Sequence, residues 1–419
     1  MISAAPEDDS AVQPQDWMTS PETLAVLDAL EASGAHVRFV GGCVRDALLG
    51  RAVSDIDIAT DAVPEKVVDA LSAAGIKSVP TGLSHGTVTA VVQGHPFEIT
   101  TLRRDVETDG RYATVAFTDD WTEDAARRDF TINAISLDRD GTLHDPFGGV
   151  EDIKLGRVRF VGVAKERIEE DVLRLLRFFR FHAHYGKEDF DADGLAACRE
   201  MAPMLTRLSV ERVWTELRKL LAAADPTPVV RTMLDAGILQ VLLPEAQHAG
   251  RLGRLVRIEA EMVKAWPAVL AADPIRRLGA LLSVDRPGAE AIALRLKAAT
   301  VERERLASIA EGLVAPPDIS DPPSIRRLLY RMPREQAVDV ALVAWAEWGE
   351  TPWRDVVAEA ATWQPPAFPI AGRDAAALGV PQGPSIGEAL REVEDWWIAE
   401  DFRPDREACL AKLRAVVEA

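Results

Sequence analysis

Two aspartates separated by one isoleucine, Asp55 and Asp57 in SDIDIAT, are the side chains best placed by type and spacing to do chemistry. On a β-strand successive side chains alternate faces. The pair would therefore point the same way, about 7 Å apart at a rise of ~3.3 Å per residue, with Ile56 and Ile58 turned to the core. Two carboxylates that close repel unless a positive charge sits between them. A hard cation such as Mg²⁺ fits, because it prefers oxygen ligands and accepts phosphate oxygens beside them. An isolated Asp-x-Asp also serves simply to solvate a strand face, so its neighbours decide. Gly41 and Gly42 follow the apolar run VRFV and precede a short helical stretch. There the backbone can approach a ligand closely and helix N–H groups can face an anion. Arg45, one turn into that helix, can reach a phosphate. A phosphate cradle followed by paired carboxylates reads as a site for a nucleoside triphosphate and its metals. Glu98, in FEITTLR, offers a third carboxylate on a neighbouring strand, for the metal site or for a pair with Arg103.

A second constellation lies in EEDVLRLLRFFRF, where Asp171, Arg174, Arg177 and Arg180 recur every three residues. Such residues lie close on a helix surface and can simply form ion pairs with one another. Leu173, Leu176 and Phe179 make a second stripe that would bury the helix and bring the arginines into a cleft. Asp171 accepts hydrogen bonds and Arg174 donates them. Cytosine and adenine each present an amino donor beside a ring-nitrogen acceptor, whereas uracil and guanine present the reverse. An adjacent acceptor and donor therefore suits C and A, and each mismatched buried group costs about 1–3 kcal/mol.

The elements that must position these residues can be read from the pattern. Ser20-Pro21 starts a helix that stops at Gly34. HVRFV reads as a strand, Cys43–Leu49 as a short helix, DIDIAT as a strand and PEKVVDALSAAG as a helix. TVTAVV and FEITTLR follow as strands. Residues 103–121 read as a polar, mobile loop leading into a strand. From about Glu166 the period becomes helical, in VLRLLRFFRF, VERVWTELRKLLAAA and VVRTMLDAGILQVLL. Proline pairs at 316–317, 322–323 and 365–366 punctuate the helices.

The chain has 419 residues and a formal charge of −19, which on its own argues against a nucleic-acid partner. The charge is uneven: residues 151–220 carry 14 Lys/Arg against 13 Asp/Glu, whereas residues 1–150 carry 11 against 25. A local basic groove is thus compatible with an acidic total. Cys43, Cys198 and Cys409 have neither disulfide-framework nor zinc spacing, which points to a reducing cytoplasm. No apolar run approaches the ~20 residues of a membrane span, and the acidic N-terminus is unlike a secretory signal. His85, His182 and His184 read as turn or packing residues.

Taken in order, GGCVRDALLG with SDIDIAT, then RRDFTINAIS, DPFGG, EEDVLRLLRFFRF and LSVERVWTELRKLL resemble the successive motifs of the class II tRNA nucleotidyltransferases, the CCA-adding enzymes, and of the bacterial poly(A) polymerases that share their fold. The resemblance covers residues 35–225 most closely. GRDAAALGVPQGPSIGEALREVEDWW is similar to the family's tRNA-binding end, and Gly110-Arg111 to its flexible loop. The resemblance implies an α+β architecture, with an N-terminal polymerase-β-like nucleotidyltransferase head followed by an all-α neck, body and tail. It divides the chain into a disordered tail at 1–19, a head at 20–150, a neck at 151–222, a body at 223–315 and a tail at 316–419. It assigns nucleotide contacts to Arg127, Arg128, Asp129 and Asn133. Asp171 and Arg174 would read the base, with Arg177 and Arg180 near ribose and phosphates.

On this reading Mg²⁺ at Asp55 and Asp57 serves nucleotidyl transfer from ATP and CTP to the 3′ end of tRNA, with pyrophosphate released. The helical remainder would hold tRNA by shape and phosphates, with Gly383 and Ser385 at a helix N-terminus as RNA contacts. The tryptophans of the C-terminal third read as core. Nothing in the chain calls for a membrane or an obligatory protein partner. Poly(A) polymerase, a partial enzyme adding only CC or only A, and a non-catalytic RNA-binding protein on the same scaffold are the rival readings.

Overall fold

The computed structural model describes residues 12–82, 86–109, 112–267 and 271–418. The chain divides into two compact units, residues 1–220 with 231–242 and residues 221–230 with 243–419. The head and almost all of the neck of the sequence reading fall in the first unit, and most of the body and the whole tail in the second.

The loose tail expected over residues 1–19 is packed structure from residue 12 onward, and residues 1–11 lie outside the described residues. Val12 donates its N–H to Gly141 O at 2.8 Å. In helix α1 (Asp16–Thr19) Met18 is buried, and the adjacent Trp17 meets Phe39 edge-on at 4.8 Å. Two apolar anchors in a polar stretch are too few to make a readable period. Helix α2 (Pro21–Ala32) starts as expected, with the Ser20 hydroxyl accepting from Thr23 N.

The head then runs β1 (Val37–Val40), α3 (Gly42–Leu48), β2 (Ile56–Thr60), α4 (Pro64–Ala73), β3 (Lys77–Gly82), β4 (Thr87–Val92) and β5 (His95–Thr101). It continues through β6 (Arg103–Asp109), β7 (Tyr112–Phe117), α5 (Trp121–Ala126), β8 (Ser136–Leu137) and β9 (Leu143–His144). The main sheet has the order β3-β4-β5-β2-β1-β8-β9, and β6 and β7 form a separate two-stranded ribbon. Two elements depart from the sequence reading. The ribbon occupies most of the stretch read as a loop, while Gly110-Arg111, the expected loop signature, lies outside the described residues. Strand β3 was masked in sequence by Pro80, which is tolerated here because β3 is the edge of the sheet. Strands β2 and β5 pair in parallel with Asp57 opposite Glu98, so these two side chains share a face.

The helices that follow in the first unit are α6 (Gly149–Leu155), α7 (Ala164–Glu170), α8 (Leu173–Tyr185), α9 (Ala192–Met201), α10 (Val210–Leu221) and α12 (Ile238–Leu242), with α11 (Thr227–Asp235) between the last two. The single helix expected through Glu169–Phe181 is two. It breaks at Asp171, whose backbone is extended at φ −147° and ψ 106°. Leu175, Leu176, Phe178 and Phe179 are buried, so the helix is seated as expected, but Leu173 faces a cavity rather than the core. Phe130 of the head packs on Phe160 at 5.0 Å and Phe160 on Phe178 at 5.2 Å, one aromatic core shared by head and neck.

The second unit is helical: α13 (Ala249–Ala265), α14 (Pro274–Leu281), α15 (Arg286–Arg295), α16 (Thr300–Val314), α17 (Pro322–Arg331), α18 (Arg334–Trp348), α19 (Trp353–Thr362), α20 (Gly372–Ala377), α21 (Pro384–Ala399) and α22 (Arg406–Glu418). Helix α18 is buried from Ala337 to Ala346, and the charge it carries inward is fully paired. Asp339 accepts from Arg276 Nε at 2.9 Å and Arg305 Nε at 2.7 Å, and Arg276 and Arg277 both bond Glu259. A smaller core around Trp397, Val393 and Leu413 joins α20, α21 and α22. Trp345, Trp353 and Trp397 are core as expected, and Trp363 and Trp396 pack partly buried. Trp348 is the exception, half exposed with one ring stacked on Trp353.

Candidate active site

The turn between β1 and α3 brings the first constellation together. Gly41 has φ +70°, a left-handed conformation that costs glycine little. A Cβ there would stand 3.2 Å from Arg128 Nη1 and 3.8 Å from Asp57 Oδ2, so the backbone lies directly against both charged groups. Arg45, one turn on, is buried. It gives Nη1 to Asn133 Oδ1 at 2.7 Å and Nε and Nη2 to the Asp46 carboxylate at 3.0 Å each.

Asp57 lies on β2. Burial pushes its carboxyl up to about 6, reinforced by the charges of Glu98 and Asp55 and opposed by Arg128 and Arg45. Asp55 sits in the exposed bend just before β2, and Glu98 is exposed on β5. Asp57 and Glu98 on the neighbouring central strands β2 and β5, with Asp55 in the bend before β2, thus form an acidic rim on which the charges of Glu98 and Asp55 both act on Asp57. An all-oxygen donor set under mutual repulsion is the chemistry of a hard-cation site. Among the described residues no group of three or more His, Cys, Asp or Glu surrounds a single point. A cation held by Asp55 and Asp57 would therefore share its coordination with substrate oxygens.

The segment Arg127–Asn133 links this rim to the neck. Burial would raise Asp124, but Arg128 and Arg127 hold it below the usual range. Asn133 gives Nδ2 to Asp129 Oδ1 at 2.9 Å, and Asp129 accepts from Arg177 Nε at 2.6 Å. Burial opposes the Asp129 charge, yet Arg177 and Asn133 hold its carboxyl below the usual range. The chain Arg45–Asn133–Asp129–Arg177 is therefore a continuous hydrogen-bonded line from the glycine turn to α8.

On the neck side, Asp171 and Arg174 are each fixed by partners. The Asp171 carboxylate accepts from Arg212 Nη2 at 2.8 Å and from Leu173 N at 3.1 Å. Arg174 gives Nη2 to Arg127 O at 2.9 Å and Nη1 to Arg167 O at 3.1 Å, and pairs with Glu170. Asp171 stands at the α7–α8 break, and its carbonyl accepts from Arg174 N at 2.9 Å, so the two residues are one turn apart at the start of α8. One cavity of about 460 Å³ is lined by Gly41, Gly42, Arg45, Asp57, Arg127, Arg128, Asp129, Asn133, Asp171, Arg174 and Arg177, together with Leu173, Phe181 and Arg212.

Of the residues expected at the nucleotide and metal site, three stand apart from that lining. Asp55 and Glu98 lie at its acidic end, facing solvent, and Arg180 turns away to Glu216, giving Nε to Oε2 at 2.5 Å. His182 stacks on Phe190 and His184 bonds Lys219 O, so neither faces the cavity, while His85 lies outside the described residues. Arg212, Phe181 and Leu173 were not anticipated. Arg212 was visible in LSVERVWTELRKLL, but nothing in its spacing tied it to Asp171, 41 residues earlier. Gly383 and Ser385 are exposed at the start of α21, in the second unit.

The family described as "Poly A polymerase head domain" matches residues 37–159, and "Probable RNA and SrmB- binding site of polymerase A" matches residues 189–249. The chain is 34% identical over 401 residues to the Mus musculus protein named CCA tRNA nucleotidyltransferase 1, mitochondrial, covering 94% of this chain and 90% of that one. It is 35% identical over 294 residues to the CCA-adding enzyme of Streptococcus gordonii, covering 68% of this chain and 72% of that one. The crystal structure of the Bacillus stearothermophilus CCA-adding enzyme in complex with CTP superposes with a TM-score of 0.73 at 28% identity, over 95% of this chain and 97% of that one. Sequence and fold agree over nearly the whole length, and this chain belongs to the family of CCA-adding tRNA nucleotidyltransferases.

Proposed function

We propose that this protein completes the 3′ end of tRNA by adding C, C and then A from CTP and ATP, releasing pyrophosphate at each step. The observation that carries the reading is one cavity whose lining joins the Gly41 turn, Arg45, Arg128 and the carboxylate of Asp57 to an acceptor–donor pair (Asp171, Arg174). One nucleotide placed there meets both.

The chain's own residues divide the work. The Gly41–Gly42 backbone, Arg45 and Arg128 receive the triphosphate and offset its charge. Asp171 accepts from the amino group of cytosine or adenine while Arg174 donates to the adjacent ring nitrogen. Uracil or guanine would leave buried groups unmatched at about 1–3 kcal/mol each. Because Arg212 holds the aspartate and Arg127 O, Arg167 O and Glu170 hold the arginine, this pair is set before the base arrives. Arg177, pinned to Asp129, contributes charge toward ribose and phosphates, and Arg180 acts through Glu216 at greater remove. Asp55 and Asp57 would hold Mg²⁺, with Glu98 adding negative charge to that rim. Bound there, the metal would lower the pKa of the RNA 3′-hydroxyl and stabilise the leaving pyrophosphate. Arg127 and Asn133 act as supports, through Asp124 and Asp129 respectively. Gly383 and Ser385 offer a helix N-terminus to a tRNA phosphate.

No described helix is long and apolar enough to cross a membrane. The three cysteines are buried and unpaired, which suits a reducing compartment. The cytoplasm is our assignment, and the mitochondrion named for the mouse relative is the other outcome a localisation experiment would return.

The test is to incubate the protein with tRNA lacking its 3′ CCA, Mg²⁺ and the four nucleotides, and to sequence the ends. CCA termini support the reading, and CC-only or A-only ends narrow it to a partial enzyme. A long A tract replaces it with poly(A) polymerase, and unextended ends leave an RNA-binding scaffold.

A further inference from the structure

Helix α8 ends in an aromatic pair one turn apart, Phe181 and Tyr185, whose rings stack at 5.6 Å. Phe181 lines the cavity; Tyr185 stands one turn beyond it and is absent from its lining. Two head arginines lie over the Tyr185 ring. The guanidinium of Arg45 is 4.2 Å from the ring centroid and that of Arg51 is 4.6 Å. Arg51 also gives Nη2 to His184 O at 2.8 Å, and His184 in turn bonds Lys219 O of α10 at 2.7 Å. The head segment just after α3 is thus tied to the end of α8.

A guanidinium has in-plane donors and two flat faces. The in-plane contacts of Arg45 go to Asp46 and Asn133, which fix its position within the head. Its face rests on Tyr185, which belongs to the helix that carries Arg174 and Arg177. Removing that ring takes away the nearest contact Arg45 makes with α8, leaving only the longer approach to Phe181 at 5.3 Å and the indirect line through Asn133 and Asp129 to Arg177.

We infer that Tyr185, with Arg51, is a positioning residue that holds the phosphate-facing Arg45 in register with α8, and so sets the fit of the incoming nucleotide rather than of the RNA. The inference rests on the functional reading above and names residues beyond those given roles there. It acts chiefly through the aromatic face; the hydroxyl, beside the Asp46 carboxylate that also holds Arg45, makes the smaller contribution.

The experiment compares Tyr185→Leu, Tyr185→Phe and Arg51→Gln with the unaltered protein, by equilibrium binding of CTP and by KM and kcat for CTP, ATP and truncated tRNA. Tyr185→Leu is expected to weaken CTP binding and raise nucleotide KM about tenfold, with tRNA KM within about twofold, on the scale of one or two cation–π contacts. Tyr185→Phe should return both to within about twofold, and Arg51→Gln should weaken CTP binding about threefold. The inference is overturned if folded Tyr185→Leu binds CTP as the unaltered protein does, if Tyr185→Phe is as impaired as the leucine variant, or if tRNA KM rises in step with nucleotide KM. Should Tyr185→Leu fail to fold, unchanged CTP binding by Arg51→Gln overturns it alone. An unaltered protein that binds CTP yet extends no tRNA defeats the functional reading while leaving this test intact, and one that binds no CTP defeats both.

Discussion

Arg177 of α8 gives its Nε to Asp129 Oδ2 at 2.6 Å, and Asp129 is itself buried and bonded to Asn133. One ion pair thereby joins the segment that follows the head's ribbon to the neck helix facing it. Breaking a buried pair leaves one charge uncompensated, at about 3–5 kcal/mol. Asp129→Ala should lower the unfolding free energy by that order in a denaturant titration. Arg177→Ala should cost at least as much, since it strands the buried Asp129 carboxylate, whereas Asp129→Ala leaves a partly exposed guanidinium that water can reach. The double variant should be less destabilised than the sum of the two, and full additivity would show that the pair is not coupled.

Asp57 is the carboxylate crowded by Glu98 and Asp55. Asp57→Ala and Asp55→Ala are each expected to reduce nucleotide addition by at least ~10³-fold while tRNA affinity by filter binding stays within a few-fold, since neither side chain is needed to hold RNA. Extension at the unaltered rate would remove the metal assignment.

Arg174 is fixed by two backbone carbonyls and Glu170. Arg174→Ala should flatten discrimination between CTP and UTP by about 10- to 100-fold, measured as the ratio of kcat/KM values, with little change in tRNA affinity. Selectivity that persists in this variant would move base choice elsewhere in the cavity.

Asp339 has no exposed surface and neutralises Arg276 and Arg305. Asp339→Ala is expected to destabilise the second unit by about 3–5 kcal/mol, leaving two buried guanidinium groups short of a counter-charge. Calorimetry should show a lowered transition for that unit. An unshifted thermogram would mean that Glu259, Asp273 and Glu335 carry the network without it.

His182 stacks on Phe190 at 3.7 Å with its Nδ1 buried and unbonded, and burial pulls its pKa from 6.5 down to about 4. The unfolded chain therefore binds a proton below pH 6.5 that the folded protein refuses until about pH 4. Its contribution to stability is complete above 6.5 and is lost progressively as pH falls toward 4, by up to about 3 kcal/mol. His182→Phe should flatten this slope in urea titrations run between those two values, and an unchanged slope would assign the acid sensitivity to other groups.

Much of the site was legible before any fold was known. Asp55, Asp57, Gly41, Gly42 and Arg45 are close in sequence, so a strand–turn–helix rule suffices to bring them together. The Asp171–Arg174 pair was legible as chemistry, an acceptor beside a donor one turn away, but the helix that carries it starts anew at Asp171 instead of running on from Glu169, because the Asp171 carboxylate accepts from Leu173 N and Arg212. The ribbon β6–β7 was missed because its first strand, RRDVETD, is nearly all polar and lacks the apolar alternation that marks a strand.

By itself the amino-acid sequence determined the kinds of group this protein brings to its substrate, the order of its elements and the polarity of each face, because these follow from local period and side-chain chemistry. Only the tertiary structure decided that Arg212 reaches Asp171, that Arg177 reaches Asp129, that Arg45 rests on Tyr185 and that Arg180 leaves the cavity for Glu216. Those are long-range pairings among interchangeable arginines. Their selection depends on which carboxylate or ring each guanidinium meets once the chain has closed, and no local spacing encodes that.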